Sequence, residues 1–468
     1  MKLKFSLYLE SVENTLSRLV KTLGEIYPYV SVLAQDSVGM RLSVSRGGTN
    51  VSEDAVNTKR GFVVRVHNGK ALSEYSFSSL SDDCIDEIIK SIRLVADSAL
   101  GDDKLPEDAP YTGEYSSEFT LDPETLTSAG IVKRLSELRE KALGMDERLT
   151  DVIASCSWQK SHKLFISKNR RLRQSIMWTN VGCVPLASDG NDMKDWYFPL
   201  SGLCGAELID GFTEEKIKES VDFCCALLNA GSIPPGEYDC ICDPETTGMI
   251  VHEAFGHGVE MDMFVKNRAL AGQYMNKPVA SPIVTMHDGA AAAKECATFM
   301  FDDEGNLAQD TLVIDRGVLV SGYADGVSAG RLGVAPTGNG RRESFERKAY
   351  TRMTNTFFEG GHDKLEDMLA SIKYGFMLVN PSSGMEDPKN WGIQCMVNAA
   401  REIKDGAFTG KIYSPIVLTG YVPDLLKSIS MMSENVELGG SGYCGKGYKE
   451  WVKVSDGGPY IKARIRLG

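Results

Sequence analysis

Two stretches near the start of the chain alternate apolar and polar side chains, and this pattern most constrains the fold. Residues 30–51 and 61–77 show the period of two that is typical of half-buried strands. An Asn68-Gly69 turn signal indicates a hairpin in the second stretch. Residues 7–28 show a helical period, and another amphipathic helical stretch follows the strands. The start of the chain is therefore predicted to be an antiparallel sheet flanked by helices.

The order of helix, antiparallel strands and helix recurs once more, which makes a weak repeat. An acidic segment rich in Pro, Gly and Ser, residues 101–117, is the best linker candidate, and Pro and Gly again mark a boundary at 231–239. We therefore expect an N-terminal α/β region at 1–117, a middle α/β region at 118–235 that can continue the first, and a C-terminal domain at 236–468. The predicted fold class is α+β, with a weakly repeated helix and antiparallel-sheet region before a mainly β domain.

Charge and cysteine usage exclude several classes of protein. The chain has 51 Lys and Arg against 64 Asp and Glu, a formal net charge of −13. Binding to nucleic acid or to an anionic membrane needs clustered cations, so neither partner is expected.

The eleven cysteines have no regular spacing, which indicates reduced thiols, and no run of about 18 apolar residues is present. Glu10 and Glu13 interrupt the first apolar residues, unlike a signal peptide. We expect a cytoplasmic protein.

The stretch "VHEAFGHGVE" (251–260) carries the clearest chemical signal, because His252 and His257 flank Glu253 near a predicted helix end. Neutral imidazoles are good Zn²⁺ ligands, and a catalytic zinc needs three protein ligands and an open position. A glutamate beside a ligand could take a proton from water and pass it to the leaving amine. The alternative is a helix whose histidines only pack or cap.

The spacing of these histidines makes a geometric prediction. Asp243 and Pro244 suit the first positions of a helix that runs into the histidines. In a regular helix, residues five apart point ~140° away from each other. A π-type turn would bring both histidines onto one face, and Gly256 would ease the distortion. We therefore predict a widened turn at 253–257.

The third ligand has several candidates. Glu260 is close in sequence but lies beyond the glycines that should break the helix. Cys240 and Cys242 share a strand face and are typical of a core. Cys444 lies in the Gly-rich "GSGYCGKG" and could present a thiolate that Lys446 helps to keep ionised, although a plain Gly-rich turn is the simpler interpretation.

Several stretches together resemble the TldD/PmbA family of zinc metalloproteases, also called modulators of DNA gyrase. They occur in the same order and cover nearly the whole chain: "SVSRGGTNVSED", "HEAFGHGVE", "FDDEGN", "RKAYTRMTNTFFEGG", "GSGYCGKG" and "VKVSDGGP". The resemblance implies a C-terminal metalloprotease domain, a zinc cofactor and cleavage of flexible or unfolded peptides. It also implies a dimer, either a homodimer or a heterodimer with a family paralogue, with its site in an enclosed cavity.

When its motifs are matched to this sequence, the resemblance implies that His252, His257 and Cys444 bind zinc and that Glu253 is the general base. One branch of the family is metal-free and lacks the His-Glu pair, so this chain is similar to the active, TldD-like branch. Two other functions stay open. One is a non-catalytic peptide-binding or modulator protein, and the other is a zinc amidase that acts on non-peptide amides.

The segment "TRMTNT" offers candidate substrate-binding residues. Arg352, Thr354 and Asn355 stand close together there, and in an enclosed site they could hydrogen-bond a peptide backbone or an oxyanion. A polar strand face would have the same composition.

Overall fold

The structure is a computed structural model that describes residues 1–54, 58–81, 83–447 and 449–468. Helices and strands are mixed, and short strands dominate the second half, so the predicted α+β class is confirmed. Within the described ranges, no helix is both long enough and apolar enough to cross a membrane. All eleven cysteines are free thiols.

The first half of the chain forms four longer helices and a set of strands. The helices are α1 (Leu7–Gly24), α2 (Ile85–Ser98), α3 (Pro123–Leu143) and α4 (Glu214–Leu227). The strands are β1 (Tyr29–Ser45), β2 (Gly48–Glu53), β3 (Lys59–His67), β4 (Leu72–Phe77), β5 (Tyr111–Ser116), β6 (Leu149–Ser167), β7 (Arg170–Ser188), β8 (Met193–Asp195) and β9 (Phe198–Gly202).

Helix α1 shows how local sequence determines these elements. The Ser6 side chain accepts a hydrogen bond from the Leu9 backbone N–H at 3.2 Å, which caps the first turn. Leu9, Leu16 and Leu19 recur at helical spacing and are fully buried. They belong to a core that they share with residues of β1 and β3, so the amphipathic stripe holds the helix on the sheet.

One sheet unites the strands of the first half. Its order is β4-β3-β1-β6-β7-β5, and β1 pairs antiparallel with β6 from Ser31 to Val44. Strands from both predicted N-terminal regions therefore share a sheet, and their boundary stays a prediction. Strand β5 lies inside the segment 101–117 and pairs in parallel with β7, so the part of that segment at Tyr111–Ser116 is sheet and not a linker.

The second half is built from short helices and many strands. The helices are α5 (Pro244–Met249), α6 (Met261–Val265), α7 (Gly326–Leu332), α8 (Leu365–Ala370) and α9 (Val422–Ser428). The strands are β10 (Gly236–Cys242), β11 (Met286–Asp288), β12 (Thr311–Asp315), β13 (Val318–Leu319), β14 (Gly340–Arg341), β15 (Tyr350–Thr351), β16 (Asn355–Phe358), β17 (Tyr374–Asp387), β18 (Gly392–Lys404), β19 (Ala407–Tyr413), β20 (Ile416–Tyr421), β21 (Met431–Met432), β22 (Glu437–Gly439), β23 (Tyr443–Lys446), β24 (Lys449–Lys453), β25 (Ser455–Gly458) and β26 (Ile461–Leu467).

Two sheets and a ribbon of this half surround the histidine segment. One sheet has the order β10-β17-β18-β20-β26-β21, and an additional β10–β26 pairing closes part of it into a ring. The other has the order β13-β12-β11-β16-β25-β22, and β23 pairs only with β24. Helix α5 follows directly from β10 and packs against both β17 and β25. The chain after α5 is therefore enclosed between the two sheets.

The sheet of the first half also contacts the second half. The Gln174 side chain accepts a hydrogen bond from the Met300 backbone N–H at 3.0 Å, and Trp178 packs edge-on against Tyr443 with ring centroids 6.0 Å apart. Tyr443 precedes Cys444, so the first sheet lies beside the ribbon that carries this cysteine.

Candidate metal centre

The segment around His252 begins as the sequence predicts. The Asp243 carboxylate accepts a hydrogen bond from the Thr246 backbone N–H at 2.7 Å, and Pro244 occupies the first turn. Helix α5 then widens into a π-type turn over Ile250–Gly256, which is followed by a 3₁₀ turn. The predicted widening is confirmed, but it begins three residues before the predicted start at 253.

Gly256 fits this turn because it has no side chain. Its φ of −56° is ordinary for a helix, so the expected need for glycine's conformational freedom is wrong. A Cβ at this position would collide with the Met353 sulfur and would lie 3.2 Å from the Tyr323 hydroxyl oxygen. That hydroxyl donates a hydrogen bond to the Gly256 carbonyl. The missing side chain therefore makes room for the groups that hold the end of the turn.

The structure brings three donor side chains together. One ligand atom from each of His252, His257 and Cys444 lies within 4.8 Å of the others. The two imidazole rings are nearly perpendicular, with centroids 5.3 Å apart, and the Cys444 sulfur lies 3.3 Å from His257 Nε2. The Oε2 atom of Glu253 lies 3.8 Å from the same Nε2. A thiolate and two imidazoles form a donor set that suits Zn²⁺.

The charges within this cluster are strongly coupled. Burial alone would raise the pKa of the Cys444 thiol, but His257 and His252 hold that pKa well below its usual range. Burial alone would likewise lower the pKa of His252, yet the Cys444 thiolate raises it to about 9. The cysteine is therefore ionised in this environment, which is the form that binds metal.

Lys446 has a different role from the predicted one. Its Nζ lies 2.8 Å from both Glu260 Oε2 and Asp262 Oδ1, so the ammonium forms ion pairs with these two carboxylates. The histidines, and not Lys446, keep the Cys444 thiol ionised. The expectation from sequence is corrected, because the ribbon turns the lysine away from the cysteine towards α6.

Two carboxylates lie behind the histidines, on their Nδ1 sides. Asp456 Oδ2 from β25 lies 3.7 Å from His252 Nδ1, and Glu260 Oε2 lies 3.7 Å from His257 Nδ1. Carboxylates in such positions orient a ligating imidazole and fix its tautomer. Glu260 therefore does not join the donor cluster as a third ligand. Sequence reasoning missed Asp456, although the "VKVSDGGP" stretch of the resemblance contains it.

The other cysteine candidates are remote from the cluster. Cys240 and Cys242 are fully buried in the hydrophobic core around β10, and burial raises the pKa of both thiols. They pack as core residues.

Strand β17 packs closely against Glu253. A Cβ on Gly384 would lie 2.6 Å from both Cβ and Cγ of Glu253, so the glycine permits this approach. Two residues further along, burial raises the pKa of Glu386 to about 8, although His257 acts in the opposite direction. No pattern in the sequence pointed to either residue, because their importance depends on contacts between distant segments.

A pocket of about 260 Å³ opens beside His252 and Glu253. Its other walls include Tyr197, Asn380 and Tyr443. The pocket thus joins the donor cluster to the first sheet and to the cysteine ribbon.

The predicted substrate-binding residues lie elsewhere. Arg352, Thr354 and Asn355 are all fully buried and do not line this pocket. Thr354 Oγ1 donates to Asp288 at 3.0 Å, Asn355 donates to the Gly289 carbonyl, and Arg352 donates to the Glu450 carbonyl. The three side chains are therefore buried away from this pocket, and their role in substrate binding stays a prediction.

Comparison with known proteins agrees with this architecture. Residues 235–465 match the PmbA/TldA metallopeptidase C-terminal domain. A metalloprotease of Methanocaldococcus jannaschii is 32% identical over 330 residues, which cover 68% of this chain and 69% of that protein. A metalloprotease TldD homologue of Haemophilus influenzae is 27% identical over 97% of this chain and 98% of its own.

Solved structures share the fold at lower identity. A Thermotoga maritima protein superposes with a TM-score of 0.79 at 16% identity, covering 98% of this chain and all of that one. TldE from Thermococcus kodakarensis gives a TM-score of 0.72 at 17% identity, covering 96% and 99%. Given the fold, the family domain and the extent of these matches, the chain belongs to the PmbA/TldD family of metallopeptidases.

Proposed function

We propose that this protein is a zinc-dependent peptidase in which His252, His257 and Cys444 hold Zn²⁺ and Glu253 is the general base. The observation that carries the proposal is the convergence of the three donor atoms within 4.8 Å, with Glu253 at their edge. The sulfur and nitrogen donors favour zinc over the oxygen-seeking cations Ca²⁺ and Mg²⁺.

The chain's own groups define the mechanism. When bound, Zn²⁺ polarises the scissile carbonyl and makes water acidic enough to be deprotonated near neutral pH. Glu253 takes this proton at its carboxylate and returns it to the nitrogen of the leaving amine. Asp456 and Glu260 lie 3.7 Å from the Nδ1 atoms of His252 and His257, so their negative charge would favour imidazoles that carry the proton on Nδ1 and leave Nε2 for the metal.

The shape of the site favours flexible or unfolded peptides as substrates. His252 is 3% exposed, and access runs through the 260 Å³ pocket between the first sheet and the ribbon. An extended chain can enter such a pocket, whereas the surface of a folded domain is too broad. The eleven free thiols fit a reducing compartment, so we place this activity in the cytoplasm.

We further propose that the protein acts as a dimer, either with itself or with a family paralogue. Its fold neighbours include a protein named TldE, which supports a paralogue as the partner. Light scattering of the chain alone, and of a mixture with a paralogue from the same organism, distinguishes the two assemblies. A monomer under both conditions would contradict the dimer.

The test of the activity is a comparison of bound zinc and peptide cleavage in matched variants. Wild type should contain zinc and cleave an unstructured peptide, and Glu253→Gln should retain zinc while losing about 10²–10⁴-fold in rate. Cys444→Ser should lose zinc as well as activity. Glu366→Gln, on the exposed face of α8, is the matched control and should behave as wild type.

Two results would contradict the proposal. One is wild-type protein without bound metal after purification and zinc addition. The other is a Glu253→Gln variant that cleaves as fast as wild type. Cleavage of a non-peptide amide, with no cleavage of peptides, would favour the zinc amidase instead.

A further inference from the structure

A second cavity, of about 110 Å³, lies between the first sheet and the cysteine ribbon. Tyr443 lines both this cavity and the pocket beside His252. In the ribbon, Tyr443 pairs with Lys453, and Cys444 pairs with Val452. Since successive side chains of a strand point to opposite faces, Tyr443 and Lys453 lie on the face away from Cys444. Tyr443 therefore lies where the two spaces meet.

The Lys453 ammonium is buried in this second cavity without a hydrogen-bond partner. Lys453 is 8% exposed, and no described group accepts a hydrogen bond from its Nζ. The Nζ lies 4.4 Å from the ring centroid of Trp178 and 4.7 Å from that of Tyr443. Two aromatic faces stabilise a cation only partly, and a buried charge without a hydrogen-bonding counterion is unfavourable. The Glu295 carboxylate acts on Lys453 through its charge, but no described anion is hydrogen-bonded to the Nζ.

The nearby carboxylates already have other partners. Glu295 accepts hydrogen bonds from the Ser201 hydroxyl at 3.2 Å and from the Cys296 backbone N–H at 3.1 Å. Asp303 pairs with Lys163, and Glu343 accepts a hydrogen bond from the Glu450 backbone N–H. None of them is positioned to bind Lys453. Burial lowers the pKa of Lys453 to about 8, so the group is still mainly charged at neutral pH.

The size and charge of the cavity limit what it can bind. Lys163, Arg341, Arg342 and Lys453 line it together with three carboxylates, and among these cations Lys453 is the one with no described hydrogen-bond or ion-pair partner. A volume of about 110 Å³ is enough for several water molecules. This space fits a carboxylate with its neighbouring carbon atoms, and one carboxylate would give the Lys453 ammonium a hydrogen-bonded counterion.

We propose that Lys453 binds a carboxylate of the peptide substrate, supplied either by its free C-terminus or by an acidic side chain. The inference rests on the proposed peptidase function, because the peptide has to run from the pocket beside Glu253 past Tyr443. The bound carboxylate then lies on the opposite face of the ribbon from Cys444 and fixes the register of the peptide relative to the bond that is cleaved.

The test measures binding in the zinc-loaded Glu253→Gln protein, which does not consume the ligand. Three fluorescent peptides of otherwise identical, acid-free sequence are compared: one with a free C-terminal carboxylate, one with a C-terminal amide, and one amide with a single internal Asp. The free acid or the Asp peptide should bind about tenfold more tightly than the neutral amide, which is the contribution of one hydrogen bond to a charged group. Whichever peptide gains affinity identifies the source of the carboxylate.

Variants on the same strand connect the preference to Lys453. Lys453→Met keeps the length and the aromatic contacts but removes the charge, so it should abolish the difference between the peptides. Lys449→Met, whose side chain is 44% exposed on β24, should leave the difference unchanged. Lys453→Gln is a second neutral variant in case the methionine variant does not fold.

If the Glu253→Gln protein, which retains Lys453, binds all three peptides equally, the inference is overturned, whatever the Lys453 variants show. A preference that survives in a folded Lys453→Met or Lys453→Gln protein would overturn it as well. Failure of the proposed function looks different. In that case wild type hydrolyses no peptide, whether or not the Glu253→Gln protein retains the carboxylate preference.

Discussion

Replacement of Gly384 by alanine tests whether the position of Glu253 controls the reaction. Gly384 lies on β17, and a Cβ there would lie 2.6 Å from both Cβ and Cγ of Glu253. These atoms are next to the backbone of the π-type turn, so a rotation at the end of the side chain cannot relieve the collision. Carbon atoms in contact prefer separations of about 3.6 Å. Glu253 must therefore move by about 1 Å relative to the donor cluster.

The expected loss of activity follows from this displacement. A catalytic group that is misplaced by about 1 Å can lose roughly 10²-fold in rate, or about 2.7 kcal/mol in the activation free energy. Zinc binding should change little. After the two Glu253 atoms, the atom nearest to the new methyl group is the Cys395 sulfur, which is not one of the three donors. The assay is the turnover number on an unstructured peptide, with zinc content and the thermal midpoint measured on the same preparation.

Gly392→Ala is the matched control. Gly392 lies on the neighbouring strand β18 of the same hairpin, and a Cβ there meets no atom within 4 Å. This variant should retain wild-type turnover. The reasoning is refuted if Gly384→Ala keeps its turnover within about threefold of wild type, or if both variants lose activity equally. Loss of zinc in Gly384→Ala alone would show that the shift propagates to the donors.

Further predictions concern the metal and Lys453. Asp456→Asn should weaken zinc binding by about 10–100-fold in a chelator competition, because His252 loses a charged partner at Nδ1, and unchanged affinity would contradict this role. Zinc should raise the thermal midpoint of the wild type and have no such effect on Cys444→Ser, since a ligand that binds only the folded state stabilises it. The pKa of Lys453 falls from 10.5 to about 8 on folding, so the unfolded state binds more protons and stability should rise with pH between about 8 and 10.5. The free energy of unfolding should increase by up to about 3 kcal/mol over this pH range. Denaturant titrations should show this increase in wild type and not in Lys453→Met.

Local patterns in the sequence predicted the elements well, because capping and periodicity act over short distances. Ser6 and Asp243 begin helices as their residue types suggest, and the five-residue spacing of the histidines required the widened turn. The start of that turn was predicted three residues too late, and its end is held by Met353 and Tyr323, which pack against Gly256. Such contacts join segments that are far apart in the chain.

The same limit explains the errors in the site. Arg352, Thr354 and Asn355 look alike in sequence whether they bind a substrate or lie in the protein interior, and the structure buries all three away from the pocket beside His252. Lys446 was expected to act on its neighbour in sequence, but its ammonium lies between two carboxylates from another segment. Cys444 was one candidate among several on residues alone, and the family resemblance singled it out.

The arrangement of charge explains why these separate segments make a cation site together. The Cys444 thiolate comes to His257 from 187 residues away, and Asp456 comes to His252 from β25. Lys446, the ribbon cation nearest to Cys444 in sequence, forms ion pairs with Glu260 and Asp262. Glu253 and Asp456 line the pocket beside the Cys444 thiolate, and the described contacts give none of the three a lysine or arginine partner. This negative field raises the pKa of the imidazoles, and it equally favours a divalent cation held by them, so the donors and their surroundings select the same ligand.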